Sequence, residues 1–462
     1  MSQVLPPLRV LISGAGIAGP ALALALSRLR APLRCSITIV ERHPSLRVAG
    51  QQIDLRGQGV VAMRKLGIER AVRAAVVDEP GVAILDWRRG DQQAYFGSNK
   101  SGHGAQTFSA EWEIMRGDLC RVLYEATTTT TTTTTKDDNG VDPEAGAVVR
   151  YRFGTTVEAF EHVRGGSAVR VSLSDGTEDE YDLLVGADGL GSGVRRQMFT
   201  DGRHDKVFPI GISCAFYTVP PREGDAPGAA FCHFPGRRWI MTRRDKPDCL
   251  RVYLGYGGGA PGVDDERLSR ALKHGTMAEQ KEAWTSVFEH DMLDAWGVRR
   301  FLEGMKSPQA DDFYTQEFAQ VRADSWSEGR VVVLGDAAFC PSPVTGQGTS
   351  AALVGAYVLA GEIARACGGK DGALHGDANP WDNIPIALTA YETTLRPFVQ
   401  YIQDIPIRFM VRALCPERAW VIKTYHWVMW FISMLRIDQL AAKFGSDDMG
   451  PWKLPDYPEL LL

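Results

Sequence analysis

The stretch GRVVVLGDAAFCPSPVTGQGTSAAL, Gly329 to Leu353, decides how the chain is read. Val331, Val332, Val333 and Leu334 form an unbroken apolar run, three of them β-branched, which is the composition of a buried strand. Small residues then lead into AALVGAYVLAGEIARA, the start of a helix. Between the two stand Asp336, two prolines and Gly346-Gln347-Gly348. An acid at a strand end and glycines at a helix start are more than a connection needs, because glycine gives up the most backbone freedom on folding. The same strand, turn and helix order occurs twice more along the chain.

The first occurrence is LRVLISGAGIAGPALALALSRLR, a strand over Arg9–Ser13, a turn at Gly14-Ala15-Gly16 and then a helix. Pro20 is compatible with that helix, since N–H groups of the first turn have no partner in any case. A second strand, CSITIVE, ends on Glu41, 22 positions after Gly19, close to the spacing of a dinucleotide-binding βαβ unit. Gly14, Gly16 and Gly19 would let the backbone approach a pyrophosphate at a helix N-terminus, where free N–H groups and a partial positive charge collect. Glu41 would accept from a ribose hydroxyl, and Arg42 beside it joins the cofactor-binding set. The segment has the apolar texture of a signal peptide, but its glycines interrupt the run and no small-residue cleavage site follows.

The second occurrence is DLLVGADGLGSGVRR, 182–196. Asp188 stands at the strand end, where a carboxylate can accept backbone N–H bonds and hold the turn tight against the first one; Arg195 falls in the helix that follows. In the third motif Asp336 suits a ribityl hydroxyl. Gly346 and Gly348 let a helix N-terminus face a ligand and stabilise negative charge on a flavin edge.

These three motifs in this order, GxGxxG, GADGLGSGVR and GDAAFCPSPVTGQG, resemble the class A flavoprotein monooxygenases of the para-hydroxybenzoate hydroxylase fold. Two further segments, RVAGQQIDLRGQG (47–59) and EIMRGDLCRVL (113–123), are similar to the tetracycline-inactivating monooxygenases within that group. The resemblance implies that Asp54 and Arg116 contact FAD, Arg116 at the ring edge, and that Arg47 lies where NADPH or NADH approaches. An arginine suits a polyanion that docks only briefly. Two departures fall near the implied flavin: Phe339, where relatives often carry histidine, and Gln51-Gln52, where many carry glycine.

The expected fold class is α/β: a GxGxxG-type, Rossmann-like FAD-binding domain, an interleaved β-sheet substrate domain and C-terminal helices. The expected boundaries are 1–75, 114–200 and 320–370 for the FAD-binding domain, 76–113 and 201–319 for the substrate domain, and 380–462 for the helices. Strand candidates fall around 208–218, 229–242 and 249–256, and the longest closing helix is expected over roughly 385–412. Nine threonines, Thr127–Thr135, and the polar residues to 147 read as a flexible surface insertion, because nothing in them can bury a core.

With 462 residues, 44% apolar and 23% charged, the composition is that of an ordinary globular protein, and a net charge of −5 gives no basis for nucleic-acid binding. The eight cysteines are scattered singly, which fits a reducing, cytoplasmic setting and suggests neither a metal site nor a redox dithiol. A cysteine pair beside the first glycine motif, needed by disulfide reductases, is missing; so is the G-W-x-W-x-I-P signature of flavin halogenases. The segment WVIKTYHWVMWFISMLRI, 420–437, contains Lys423 and His426, and its cleanly apolar part is shorter than the roughly 20 residues of a span. A packing helix is the preferred reading, and membrane contact the alternative.

The expected activity is therefore an FAD-dependent monooxygenase using NAD(P)H and O2 to hydroxylate a small aromatic or polycyclic substrate. Phe216, Tyr217, Phe231 and Phe234 are the candidates to line its pocket. No catalytic acid or base is assigned. Epoxidation, Baeyer–Villiger insertion, simple dehydrogenation and non-catalytic dinucleotide binding are the competing readings.

Overall fold

Buried, mostly β-branched strands pair in parallel to make the centre of the molecule. The computed structural model describes residues 5–47, 49–98, 111–133, 147–199, 206–368, 379–437 and 450–461. Leu8–Ser13 lies between Leu183–Gly186 and Cys35–Glu41, with Val10 opposite both Leu183 and Ile37. Val331–Val333 extends this sheet on one side and Val148–Phe153 on the other, all in parallel, and the short antiparallel strand Ser327–Glu328 closes one edge. Parallel strands need crossovers and cover on both faces. Part of the cover comes from helices Ala18–Leu26 and Gly348–Cys367, which pack on each other and are buried almost throughout. A three-stranded antiparallel sheet, Val157–Val163, Ala168–Leu173 and Glu178–Tyr181, adds Val169, Val171 and Leu173 to the same core.

A second sheet of seven strands runs in the order Tyr314–Val321, Val207–Val219, Cys249–Tyr256, Arg238–Lys246, Ala229–Phe234, Gly81–Leu85, Gln92–Gly97. Its strands come from parts of the chain that alternate with those of the first sheet, which is the expected interleaving; Tyr314–Val321 crosses the expected boundary at 319–320. One face packs Tyr217, Phe234 and Leu254 against Trp284, Phe288 and Phe301 from helices Met277–Met292 and Val298–Lys306. The other face carries Phe216, Trp239, Tyr253 and Phe318.

Three expectations need correction. The strand expected over 229–242 is a hairpin: Gly236 (φ 76°) and Arg237 (φ 59°) turn the chain between Ala229–Phe234 and Arg238–Lys246, the paired left-handed conformation of a tight hairpin. The helix expected over 385–412 stops at Gln403, and Ile407–Leu414 is a separate helix; Pro406, with no N–H to donate, stands between them. The threonine run begins as ordered structure, because helix Arg116–Thr133 continues into it. Thr127 is fully buried and shares a hydrogen bond with Tyr151 Oη (2.9 Å), while Thr128 and Thr129 donate to carbonyls one turn back. Residues 134–146, the rest of the expected insertion, lie outside the described residues.

Gln403 fastens the C-terminal helices to the first two units. Its side chain, 4% exposed, donates to Val321 O (2.7 Å) and Cys340 O (3.2 Å), while its own carbonyl accepts from Arg322 (2.6 Å) and Gln320 (3.3 Å). Gln403→Leu is expected to lower stability by about 2 kcal/mol, the scale of buried hydrogen bonds lost without replacement. An unchanged denaturant midpoint for the flavin-loaded protein would refute that role for Gln403.

Candidate functional site

The three motif loops leave neighbouring strand ends of the first sheet and touch one another. Gly14 (φ +112°) packs so closely that a Cβ there would lie 2.4 Å from Ala187 O, and at Gly19 a Cβ would lie 2.1 Å from Gly14 O. These two glycines are required by packing alone. Gly16 differs: the nearest atom to its Cβ would be Arg116 Nη2, at 3.5 Å. Glu41 Oε2 accepts the Ala15 N–H (2.9 Å) and Oε1 the His43 N–H (3.0 Å), so this carboxylate braces the glycine loop while keeping lone pairs for a further donor.

The second motif is built around Asp188, which accepts from Gly193 N–H (2.8 Å) and Ser192 Oγ (2.5 Å) and so fixes the start of helix Gly193–Met198. Arg195 then joins the second loop to the third: its guanidinium, 1% exposed, donates to Leu190 O (2.8 Å) and Ala337 O (2.9 Å). Asp336 is half-buried at the end of Val331–Val333; burial raises its carboxyl, while a hydrogen bond from Cys340 and the Arg116 charge act the other way. A Cβ on Gly348 would lie 3.7 Å from Asp336 Oδ1, and one on Gly346 (φ +64°) would lie 3.7 Å from Asp54 Oδ2. The helix Gly348–Cys367 starts with no side-chain cap, and Gln347 Oε1 is buried with no hydrogen-bond partner among the described residues.

Asp54 forms an ion pair with Arg56 (2.7 Å), and burial followed by the Glu113 charge raises its carboxyl. Arg116 lies along Gly50, where a Cβ would sit 2.9 Å from its side chain, and donates to Ala49 O (3.3 Å). Arg42, Arg47 and Arg116 form no ion pair among the described residues, and Arg42 and Arg116 add repulsion to the burial that lowers the Arg47 guanidinium. Cations left without carboxylates around a glycine loop suit a polyanion.

The second sheet meets this cluster through Tyr314, which donates to Gln51 Oε1 and lies under the Arg47 guanidinium, 5.4 Å from ring centroid to Cζ. Phe216 stacks on Tyr314 (4.7 Å) and meets Tyr253 edge-on (5.0 Å), and Phe231 stacks on Trp239 (5.6 Å). Tyr217 and Phe234 do not join them. Successive side chains of a strand point to opposite faces, so both enter the helix-covered core instead. There Tyr217 Oη donates to Phe301 O (2.9 Å) and Phe234 packs edge-on to Phe288 (6.1 Å). Phe339 is likewise turned into the core of the first sheet, 1% exposed and against Trp326 (4.9 Å), so it does not border the cleft as expected. His233, which no sequence pattern marked, shares the aromatic face with Phe231 (4.7 Å), and burial holds it neutral by pushing its pKa down to about 3.

Behind the cleft, Gln52 donates to Glu113, and Arg243 donates to Glu113 (2.8 Å) with Glu79 at 3.7 Å. One guanidinium thus faces two buried carboxylates. Burial pushes Glu79 up to about 7 against the opposing pull of Arg243. Between the ordinary value of 4.5 and about 7 the folded chain holds a proton that the unfolded chain has lost, so stability falls as pH rises through that window. Glu79→Gln should flatten this slope and make the protein more stable than its parent above the window, by up to about 3 kcal/mol. Unfolding curves across that pH range decide it; parallel curves for the two proteins would show that Glu79 stays ionised. A second expectation concerns the glycine loop. Gly19→Ala should yield protein without bound flavin, whereas Gly191→Ala, which opens onto empty space, should keep its visible flavin absorbance.

The donor set fits FAD: glycine-lined approaches, an uncapped helix start, unpaired arginines and carboxylates with spare lone pairs all converge. Residues 7–377 match the family described as FAD binding domain. The chain is 38% identical to an FAD-dependent monooxygenase of Sarocladium schorii, over 99% of this chain and 100% of the relative. It is also 38% identical to a flavin-dependent monooxygenase of Phoma sp, over 97% and 98%. Among solved structures, tetracycline destructase Tet(51) aligns with a TM-score of 0.68 and 25% identity, over 98% of this chain and 99% of that one. Klebsiella pneumoniae HpxO, complexed with FAD and uric acid, shares the fold with a TM-score of 0.64 at 18% identity, over 96% of this chain and 97% of that one. A glycine loop, an Asp188 turn and an uncapped helix meeting at one cleft thus have the ancestry their geometry suggests: the chain belongs to the FAD binding domain family and is an FAD-dependent monooxygenase with the class A fold.

Proposed function

We propose that the protein uses NADPH or NADH, with O2, to hydroxylate a small aromatic or polycyclic molecule. The observation that carries this reading is the group of arginines without an ion pair among the described residues, Arg42, Arg47 and Arg116, beside an aromatic sheet face. FAD, when bound, accepts hydride and activates dioxygen, chemistry that no side chain supplies. The residues of the chain bind, orient and exclude water. Gly16 and the start of helix Gly348–Cys367 would hold phosphate and ring-edge charge, Glu41 a ribose, Asp336 the ribityl chain, and Arg116 the ring edge. Asp54, Asp188, Gly346 and Gly348 shape the walls between them.

Arg47 is the nicotinamide-cofactor residue of this proposal. Its guanidinium is half-buried over Tyr314, and it forms no ion pair among the described residues, with Glu41 the one carboxylate whose charge acts in its favour. Phe216 and Phe231 are the pocket candidates that remain, since they face the side of the sheet that carries Tyr314. A planar, apolar substrate would stack on such a face and be kept from water. The neighbour named a tetracycline destructase acts on a polycyclic compound, which supports the same substrate class here.

Purified protein should be yellow and should oxidise NADPH faster when its substrate is present. Arg47→Ala should raise KM for NADPH about tenfold or more, the worth of one charge-assisted hydrogen bond to phosphate, with flavin content unchanged. An unchanged KM in flavin-loaded Arg47→Ala protein would remove Arg47 from the proposal.

A further inference from the structure

The helix Ala419–Met434 uses one side to pack and leaves the other uncovered. Tyr425, Met429 and Ile432 pack on Val82, Ile84, Ala94 and Phe96 of the outer strands of the seven-stranded sheet, and Ile422 and His426 are buried. This is the packing role preferred from the sequence. The opposite side bears Trp420 and Trp427 at 64% exposure, Trp430 at 47%, Phe431 at 41% and Met434 at 52%. Trp427, Trp430, Phe431 and Met434 are spaced by three and four residues, and Trp420 stands two turns before Trp427 on the same side, with Lys423 between them. Phe409, on the neighbouring helix Ile407–Leu414, is 70% exposed.

Charge identifies what would cover this stripe. Residues 407–437 contain five basic side chains, Arg408, Arg412, Arg418, Lys423 and Arg436, all exposed, and one acid, Glu417. They do so in a chain whose net charge is −5. A second copy docking by a two-fold axis would set this basic surface against itself, which opposes association. An anionic lipid surface attracts it instead. Tryptophan belongs at a membrane–water boundary, where its ring is buried and its N–H stays wet. The helix has 16 residues, too few for the roughly 20 of a span, and the sheet already covers its inner side, so it can only lie in the plane of the boundary.

We propose that this face docks the protein on the surface of an anionic phospholipid bilayer, with Trp420, Trp427, Trp430 and Phe431 in the headgroup layer and Arg412, Arg418 and Lys423 on lipid phosphates. The same helix shares a cluster with Phe231 and Met241, and its Tyr425 meets His233 edge-on (4.8 Å), so the docked surface adjoins the aromatic face of the second sheet.

Flotation of the flavin-loaded, full-length protein with vesicles tests this. Vesicles of phosphatidylcholine with phosphatidylserine should carry the protein, phosphatidylcholine alone should carry little, and added salt should release it. Tryptophan emission should shift to the blue on binding. Lys423→Glu should reduce binding to the serine-containing vesicles roughly fivefold or more, the worth of one basic residue at such a surface. Trp427→Ser with Trp430→Ser should do the same, and both variants should keep the flavin content and thermal stability of the parent. Equal recovery on both vesicle types, or on neither, overturns the proposal. So does a concentration-dependent dimer in sedimentation velocity that the tryptophan substitutions dissolve, because the face would then belong to a second copy.

Discussion

Parallel pairing of Leu8–Ser13 with Leu183–Gly186, and of Leu183–Gly186 with Val331–Val333, is the constraint on which the site depends. Strands that run in the same direction end at the same edge, and in an open α/β sheet that edge is where ligands bind. Segments about 170 and 150 residues apart in the sequence therefore release their loops side by side. Contact between the loops follows only because Gly14 and Gly19 have no side chain to obstruct it, and because Arg195 bonds to carbonyls of two loops at once. A guanidinium is suited to that bridge, since its planar fork can donate in several directions while remaining charged.

Around this centre the chain separates two kinds of charge. Some is neutralised internally: Arg243 lies between Glu79 and Glu113 and ties the strand Gln52–Asp54 to the second sheet, and Arg56 pairs with Asp54. The other kind forms no ion pair among the described residues. Arg42, Arg47 and Arg116 repel one another near the glycine loop, a cost the fold carries unless a polyanion arrives. The second sheet makes the same division with apolar groups. Tyr217 and Phe234 build a closed core with Phe301 and Phe288, whereas Phe216 and Phe231 form the face turned to the cleft and the C-terminal helices.

Much of the site could be read from residue order because its glycines and acids sit in local patterns. Gly14, Gly16 and Gly19 after a strand, Asp188 in its turn and Gly346 to Gly348 at a helix start each declare a backbone geometry within a few residues. Other features lacked such a signal. Arg195 reaches Ala337 across 142 positions, and Tyr314 reaches Gln51 across 263. Polar composition marked the threonine run as disordered, yet Thr127 finds a partner in Tyr151 that only folding brings near. Phe339 stands in a motif that borders the cleft, but its side chain points to Trp326 in the core.

The sequence by itself determined the α/β class and the three loops, because strand runs, glycine spacing and helix starts are local properties of the backbone, and the order of those loops carried the resemblance that implied a flavin. Only the tertiary structure decided which aromatic faces the cleft, which arginines remain unpaired, and which side of Ala419–Met434 stays uncovered. Those outcomes depend on strand register and on contacts between distant segments. In a strand one step along the chain moves a side chain to the opposite face, so composition cannot fix on which side of a sheet it will lie.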